Sequence, residues 1–227
     1  MSVFVTGDTH GTLDIKKFMI PRSKLPKSKD YLIICGDAAM VWDGGRHDSQ
    51  VQDYWNSKPW TTLYVDGNHE NHVLLNSMPV EEWHGGKVHK ISDKIYHLCR
   101  GQIFDIDGNK FFTMGGADSV DKVYRIEGLS WWKEEMPTRA EYDEALDNLE
   151  SEGFKVDYIL THCAPKSYVS SISPYYETDH LNSFLDNVAE YTDYRFWYCG
   201  HYHIDKQIGK LRVLYNDIIK IDSKESK

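Results

Sequence analysis

Residues 62–70 read Thr-Leu-Tyr-Val-Asp-Gly-Asn-His-Glu, a short apolar run followed at once by polar side chains. The run at 62–65 has the length and the continuous apolar character of a strand that is buried on both faces. Directly after it, residues 67–70 present an amide, an imidazole and a carboxylate. A buried strand followed by candidate ligands is typical of α/β sheets, which carry their sites at the carboxyl ends of strands.

The same arrangement recurs at four other places along the chain. The β-forming apolar runs lie at residues 3–6, 31–35, 158–161 and 196–199. The motifs that adjoin them are Asp8-Thr9-His10, Gly36-Asp37, Thr161-His162 and Gly200-His201-Tyr202-His203. Helical patterns lie between the runs, so the sequence predicts an α/β fold that gathers the motifs into one site.

Helices and antiparallel strands are predicted between the buried runs. Apolar spacing predicts helices that contain residues 51–55, 142–149 and 181–188, and Thr138 with Glu141 forms a capping box before the second. Another helix is expected to begin at His69. Residues 88–114 are typical of antiparallel strands with a turn at 107–109, and two final strands are expected at 207–208 and 211–214.

The length of the chain limits the number of domains, and its charge limits the classes of partner. Motifs that extend from residue 8 to 203 of 227 favour one domain, which we place at residues 1–221, followed by a mobile tail at 222–227. The net charge of -9 disfavours a large duplex nucleic acid as partner, because such binding relies on Lys and Arg. No signal peptide or membrane-length apolar stretch is found, which predicts a soluble cytoplasmic protein without a membrane partner.

Four cysteines are present, Cys35, Cys99, Cys163 and Cys199, and none forms a C-x-x-C pair. This spacing argues against a zinc knuckle or a thioredoxin-like centre. Cys35, Cys163 and Cys199 adjoin the motifs, and we interpret them as small residues packed at buried strand ends. The alternative roles are soft metal ligands and redox-sensitive thiols. Metal ligation is disfavoured because the strand neighbour of a ligand points to the opposite face.

Together the motifs supply two carboxylates, one amide and several imidazoles, the ligand set for two divalent metal ions. In the simplest division, one carboxylate bridges the ions. The first ion would be bound by Asp8, His10, Asp37 and His203, and the second by Asp37, Asn68, His162 and His201. The spacing of two in Asp8/His10 and in His201/His203 would place the side chains of each pair on one side of an extended backbone.

His69 is left without an ion in this division. We expect it to act as a general acid that protonates the leaving oxygen of a phosphate ester. A hydroxide bridging the two ions would attack phosphorus in line from the opposite side. Two anionic side chains against about four positive charges leave a site that suits a phosphate anion.

With these motifs in this order, residues 8–203 resemble the calcineurin-like metallophosphoesterase superfamily, including its Gly-Asn-His-Glu block. The resemblance implies two mixed β-sheets packed face to face, with helices on the outer faces in a four-layer sandwich. It implies two divalent ions, with manganese favoured and iron, zinc, magnesium or nickel as alternatives. It also assigns the seven residues above as metal ligands and His69 as the catalytic histidine.

One part of the pattern carried by many protein phosphatases of that superfamily is absent. From Gly36 and Asp37 the chain continues to Arg46 without an Asp-Arg-Gly. Asp43 remains a candidate to orient His69, and Arg46 a candidate to bind phosphate. The departure weakens a specific protein phosphatase assignment and leaves the broader phosphoesterase prediction in place.

The loop at residues 115–137 is the other candidate for substrate binding. Arg125 is the first choice for a phosphate-binding side chain outside the metal site. Trp131 and Trp132 would either stack on a base or ring of the substrate or pack on the sheet, and we weigh the two equally. The remaining histidines, including His89 and His97, lack ligand spacing and are interpreted as structural or surface residues.

Three functions follow from these features. The leading one is hydrolysis of a phosphomonoester or phosphodiester, with a phosphorylated small molecule, a nucleotide or a phosphoprotein as substrate. A non-catalytic metal-bound binding module is disfavoured because His69 is present beside every ligand. A nuclease is disfavoured by the acidic charge balance.

Overall fold

The computed structural model of the chain describes residues 1–221, and the predicted tail at 222–227 lies outside the described residues. The strands are β1 (Val3–Thr6), β2 (Tyr31–Cys35), β3 (Thr61–Val65), β4 (Val80–Trp83), β5 (Gly86–Ser92), β6 (Ile95–Leu98), β7 (Ile103–Ile106), β8 (Asn109–Met114), β9 (Tyr158–Thr161), β10 (Phe196–Cys199), β11 (Lys206–Ile208), β12 (Leu211–Val213) and β13 (Ile218–Ile221). The α-helices are α1 (Arg46–Asn56), α2 (His72–Asn76), α3 (Arg139–Ser151), α4 (Lys166–Ile172) and α5 (His180–Tyr191). Within the described part of the chain, no helix is long and apolar enough to cross a membrane.

The strands form two mixed sheets. One has seven strands in the order β13-β1-β2-β3-β6-β5-β4, and the other has six in the order β11-β12-β10-β9-β8-β7. In the first sheet β1, β2, β3 and β6 are parallel, whereas β13 and β5 pair antiparallel with their neighbours. In the second sheet β8, β9, β10 and β12 are parallel, and β7 and β11 are antiparallel edge strands.

The two sheets pack face to face through a shared apolar core. Its buried side chains come from both sheets and include Val5, Ile33, Leu63, Phe111 and Leu160. Each of these strands is short, and successive side chains alternate between its two faces. One face of each sheet therefore fills the central core, and the other is free to bury helices.

The outer faces of the sheets are covered by helices. Leu32 and Ile34 of β2 pack with Trp55 of α1. On the other sheet, Ile159 of β9 packs with Leu185 of α5. The predicted four-layer α/β arrangement is confirmed, and it explains why the parallel strands read as continuous apolar runs: they are buried on both faces.

The structure confirms some of the individual helices and strands predicted from the sequence and corrects others. The capping box of Thr138 and Glu141 opens α3 as predicted. Residues 88–114 are not purely antiparallel, because β6 pairs parallel with β3 and β8 pairs parallel with β9. The strands β4 and β13 and the helix α4 are elements that the sequence interpretation missed. The two strands lie at the two edges of the seven-stranded sheet.

The prediction that a helix begins at His69 is wrong. Helix α2 begins at His72, after the N-cap residue Asn71, whose side chain accepts a hydrogen bond from the backbone N–H of Leu74 at 3.1 Å. The backbone N–H of His69 instead donates to Asp37 Oδ1 at 2.8 Å. His69 therefore belongs to the turn that follows β3, and no helix N-terminus lies at that residue.

Candidate metal centre

The five motifs lie directly after five strands, β1, β2, β3, β9 and β10, which come from both sheets. Their side chains meet across the gap between the sheets. His203, after β10, lies 3.1 Å from Asp8, after β1, and His162, after β9, lies 3.3 Å from Asp37, after β2. The predicted gathering of the motifs into one site is what the structure shows.

The first group consists of Asp8, His10, Asp37 and His203, whose ligand atoms lie within 4.8 Å of one another. His10 Nε2 is 3.3 Å from Asp37 Oδ2, and His203 Nε2 is 3.1 Å from Asp8 Oδ2. Asp8 Oδ2 is buried, and no donor among the described residues is aligned to satisfy it. These are the four residues that the sequence assigns to the first ion.

The second group consists of Asp37, Asn68, His162 and His201. His162 Nε2 lies 3.3 Å from Asp37 Oδ1 and 3.2 Å from Asn68 Oδ1, and the ring of His201 lies 4.9 Å from that of His162. His162 Nδ1 lies 2.9 Å from the carbonyl oxygen of Cys35. Donation to that carbonyl fixes the ring and leaves the Nε2 lone pair directed at the two oxygens.

Asp37 connects the two groups through its two carboxylate oxygens. Oδ2 faces His10 in the first group, and Oδ1 faces His162 in the second. Separations of 3.1 to 3.3 Å between ligand atoms are those expected for neighbouring ligands of one ion at about 2.0–2.2 Å from each. The donor set and the unsatisfied Asp8 Oδ2 therefore fit a pair of divalent ions.

The backbone of the site is strained at four of the seven predicted ligands. The four residues with positive φ are His10 (42°), Asp37 (48°), His201 (69°) and His203 (51°). Non-glycine residues rarely adopt this conformation, and such strain collects at functional sites. The expectation of an extended backbone at Asp8/His10 and His201/His203 is therefore wrong, because the chain has left the strand and turns sharply within each motif.

Two glycines of the motifs allow ligand side chains to lie against the backbone. A Cβ atom on Gly67 would overlap Asp37 Oδ1 and His162 Nε2. A Cβ atom on Gly200 would overlap Asp8 Oδ1. Any larger residue at these positions would displace a candidate ligand. This steric limit explains why glycine precedes Asn68 and His201.

Supporting residues around His10 and Asp8 were missed by the sequence interpretation. Asp14 Oδ2 lies 2.6 Å from His10 Nδ1, and Asp14 Oδ1 accepts a hydrogen bond from the Tyr215 hydroxyl at 2.9 Å. This carboxylate orients the imidazole so that Nε2 faces Asp37. The buried Lys17 donates to the backbone carbonyl of Asp8 at 2.6 Å. Only the spacing of four between His10 and Asp14 could have signalled this role.

A second set of supporting residues comes from the loop at 115–137. Asn68 Nδ2 donates to Ser119 Oγ at 3.2 Å, and Ser119 Oγ donates to Glu135 Oε2 at 2.7 Å. Glu135 is buried and forms an ion pair with Lys122 at 2.9 Å. The loop is thus tied to a candidate ligand by a continuous chain of hydrogen bonds.

The carboxylates give the site a strong preference for positive charge. Burial lowers the pKa of His10, but hydrogen bonding and charge from Asp37, together with Asp14 and Asp8, more than offset this and raise the pKa to about 9. Burial also lowers the pKa of His162, whereas the charge of Asp37 and its hydrogen bond raise it. With smaller contributions from Asp8 and the Cys35 carbonyl, the net pKa is about 9. Cation binding would satisfy the same carboxylates in competition with these protons.

His69 lies beside both groups and beside Arg125. Its ring centroid is 5.0 Å from that of His10, and its Nε2 is 3.0 Å from Arg125 Nη2. Arg125 is itself held by an ion pair with Asp121 at 2.7 Å. Burial lowers the pKa of His69, the charge of Asp37 opposes that shift, and the charge of Arg125 reinforces it.

The structure does not bring Asp43 and Arg46 to this cluster. Both side chains are exposed, and Asp43 Oδ1 accepts a hydrogen bond from the backbone N–H of Gly45 at 2.7 Å. Across residues 1–221, no hydrogen bond or ion pair joins either side chain to His69. The side chain that does reach His69 from outside the motifs is Arg125.

The tryptophans and cysteines near the site are mostly packing residues. Trp132 is buried, with its ring centroid 5.2 Å from that of Trp42 in an edge-on contact. Trp131 is half-buried, and Lys122 Nζ lies 4.9 Å from its ring. The three cysteines that adjoin the motifs are buried free thiols, as the sequence interpretation has them, and burial raises the pKa of each. They are Cys35, Cys163 and Cys199.

Fold and site together define an α/β sandwich protein with candidate ligands for two metal ions at the strand ends of both sheets. The chain belongs to the calcineurin-like phosphoesterase family, whose model matches residues 1–205. The match covers every motif of the site. The family resemblance read from the motifs is therefore confirmed.

The individual proteins that resemble this chain share little sequence identity with it. The chain is 26% identical to the lariat debranching enzyme of Schizosaccharomyces pombe (strain 972 / ATCC 24843) over 147 residues, which is 58% of this chain but 29% of that protein. It resembles the structure of a phosphopantetheinyl hydrolase from Mycobacterium tuberculosis (15% identity, TM-score 0.49, 100% of this chain and 98% of that one). It also resembles a putative 5'-nucleotidase from Staphylococcus aureus in complex with alpha-ketoglutarate (12% identity, TM-score 0.43, 94% and 48%).

Proposed function

We propose that this chain is a dinuclear-metal-dependent phosphoesterase that hydrolyses a phosphomonoester or a phosphodiester. The observation that carries the proposal is the position of Asp37, whose two oxygens face two separate histidine groups beside His69. Two divalent ions, with manganese favoured, would supply Lewis acidity and an activated water in this site. Membership of the calcineurin-like phosphoesterase family supports the same reaction class.

The residues of the site divide into holding and reacting groups. The proposed ligands are Asp8, His10, Asp37, Asn68, His162, His201 and His203. Asp14 and the Cys35 carbonyl orient two of the imidazoles through their Nδ1 atoms. This leaves His69 to donate a proton to the leaving oxygen, because its ring lies at the site yet belongs to neither ligand group.

Arg125 is proposed as the side chain that binds the phosphoryl group. Its guanidinium lies 3.0 Å from His69 Nε2, so a phosphate that contacts His69 also comes within reach of Arg125. A guanidinium presents several donors to phosphate oxygens at once. The negative charge of the bound phosphate would also raise the pKa of His69 and so favour its protonated, acidic form.

Room for the rest of the substrate is present beside His201. A cavity of about 550 Å³ is lined by residues that include Ser119, Tyr176 and Tyr202. This volume suits a small phosphorylated molecule or a nucleotide. We also propose one domain over residues 1–221, because the central core includes residues from Val3 to Ile221. A cytoplasmic location is proposed on the basis of the free cysteines.

An activity screen tests the proposed function. Protein stripped by EDTA is reloaded with Mn, Mg, Ni or Zn and incubated with p-nitrophenyl phosphate, its bis-ester and a panel of nucleotides. We expect turnover with manganese, loss of turnover on chelation and recovery when the ion is restored. Folded, metal-loaded protein that binds phosphopeptides or nucleotides without turnover would instead support the binding module. Cleavage of single-stranded DNA would support the nuclease.

The role of Arg125 predicts a change in substrate affinity. Arg125→Ala is expected to raise KM about 10- to 100-fold with a smaller effect on kcat, because charge-assisted hydrogen bonds contribute roughly 1.5–3 kcal/mol. Steady-state kinetics with p-nitrophenyl phosphate measure the effect. The matched control is Arg139→Ala, which removes an exposed arginine paired with Asp143 on α3. An unchanged KM in Arg125→Ala would exclude Arg125 from phosphate binding.

A further inference from the structure

Three side chains of the types that bind metal ions, all outside the five motifs, share one face of the β5–β6 hairpin. They are His89, His97 and Cys99, and their ligand atoms lie within 4.8 Å of one another. His89 and His97 are direct partners across the antiparallel pair. Cys99 follows His97 at a spacing of two. Although β6 ends at Leu98, the backbone N–H of Cys99 donates to the backbone carbonyl oxygen of Lys87 at 3.1 Å and so continues the strand pairing. Direct partners and a spacing of two both place side chains on the same face of a sheet.

The distances within this cluster are close to those of a zinc site. His89 Nδ1 lies 3.0 Å from His97 Nδ1, and Cys99 Sγ lies 4.0 Å from His89 Nδ1. Tetrahedral zinc, with nitrogen at about 2.0–2.1 Å and sulfur at about 2.3 Å, separates neighbouring ligand atoms by roughly 3.3–3.7 Å. Adjustments of a few tenths of an ångström in side-chain position, with a turn of the imidazoles, would bring the three atoms to that spacing.

One histidine of the cluster is already oriented as a ligand. His97 Nε2 lies 3.1 Å from Asp66 Oδ1, and Asp66 Oδ2 accepts hydrogen bonds from Arg100 Nε at 2.9 Å and Nη2 at 2.6 Å. Arg100 therefore holds the carboxylate in place to accept a hydrogen bond from His97 Nε2–H. This arrangement leaves the Nδ1 lone pair of His97 facing the cluster, and carboxylates orient metal-binding histidines in this way.

A simpler explanation is a hydrogen bond between two buried histidines. The two rings are nearly parallel, at 10°, and a proton shared between the Nδ1 atoms would satisfy both. That explanation gives no role to Cys99, which is half-buried and brings a thiol to the same face.

We propose that His89, His97 and Cys99 bind a zinc ion, with water as the fourth ligand. A thiolate with two imidazoles is a soft to borderline set, which favours zinc over manganese or magnesium. The proposed dinuclear centre contains only nitrogen and oxygen ligands. The protein would therefore hold two kinds of metal site, and the zinc site does not depend on the proposed phosphoesterase reaction.

Cobalt(II) titration of the whole chain tests the zinc site. A cobalt ion bound by a thiolate gives a sulfur-to-cobalt charge-transfer band in the near ultraviolet, whereas a site of nitrogen and oxygen ligands gives none. We expect this band in the wild-type protein and its loss when zinc displaces cobalt. Cys99→Ser should abolish the band and lower the zinc content by one ion per chain, with the circular dichroism spectrum unchanged.

The control variant is Cys163→Ser, which removes a buried thiol beside the proposed dinuclear centre. It should keep the band. Survival of the band in Cys99→Ser would overturn the proposal, and so would a wild-type protein that binds cobalt without any such band. If Cys99→Ser fails to fold, His89→Gln provides the same comparison, because the band should again weaken or disappear while Cys99 itself is retained.

Discussion

Replacing Asp37 by asparagine is expected to lower kcat/KM for p-nitrophenyl phosphate by about a thousand-fold or more, roughly 4 kcal/mol of transition-state stabilisation. The amide is nearly the same size but neutral, and it offers one oxygen where the carboxylate offers two. Asp37 faces His10 with one oxygen and His162 with the other, so the substitution acts on both groups at once. Steady-state kinetics and elemental analysis of the metal content measure the result.

The control for this substitution is Asp53→Asn, which makes the same chemical change at an exposed position on α1. It should leave activity and metal content unchanged. Asp37→Asn should lose at least one ion per chain while it keeps a native circular dichroism spectrum. Retention of both ions together with wild-type activity would exclude a bridging role for Asp37.

Replacing His69 by glutamine is expected to lower kcat for an alkyl phosphate by about a hundred- to ten-thousand-fold. An alkoxide leaving group needs a proton, and His69 is the imidazole at the site that belongs to neither ligand group. The loss should be much smaller for p-nitrophenyl phosphate, because nitrophenolate leaves without protonation. A series of aryl and alkyl phosphates, ordered by the pKa of the leaving alcohol, measures how steeply kcat falls.

His47→Gln is the control for His69→Gln, because His47 is an exposed histidine on α1. It should leave the whole substrate series unchanged. The metal content of His69→Gln should equal that of the wild type. An equal loss for every leaving group would assign His69 to positioning the phosphate and would contradict its role as the acid.

The ligand clusters follow from sequence because each motif is local. A buried strand with a ligand at its end can be recognised within about ten residues of sequence. The parallel order of β1, β2 and β3 then brings Asp8, Asp37 and Asn68 to one edge of the sheet. Backbone turns inside the motifs are harder to foresee. The positive φ angles at His10 and His201 depend on tertiary contacts that no local pattern carries.

The supporting residues were not predictable for a related reason. Tyr215 reaches Asp14 across 201 positions of the chain, and Ser119 reaches Asn68 across 51. Neither pair has a spacing that marks it in the sequence. The pairing of His89 with His97 likewise depends on the register of β5 and β6, which includes an irregularity between Lys90 and Ser92.

Electron paramagnetic resonance of the manganese-loaded protein tests the central claim most directly, because it reports whether two ions are bridged, and the comparison with Asp37→Asn then attributes the bridge to Asp37. We predict two manganese ions per chain and the spectrum of an exchange-coupled pair, lost in Asp37→Asn. A fully loaded, active wild-type protein that shows only the spectrum of isolated manganese would contradict a centre bridged by Asp37.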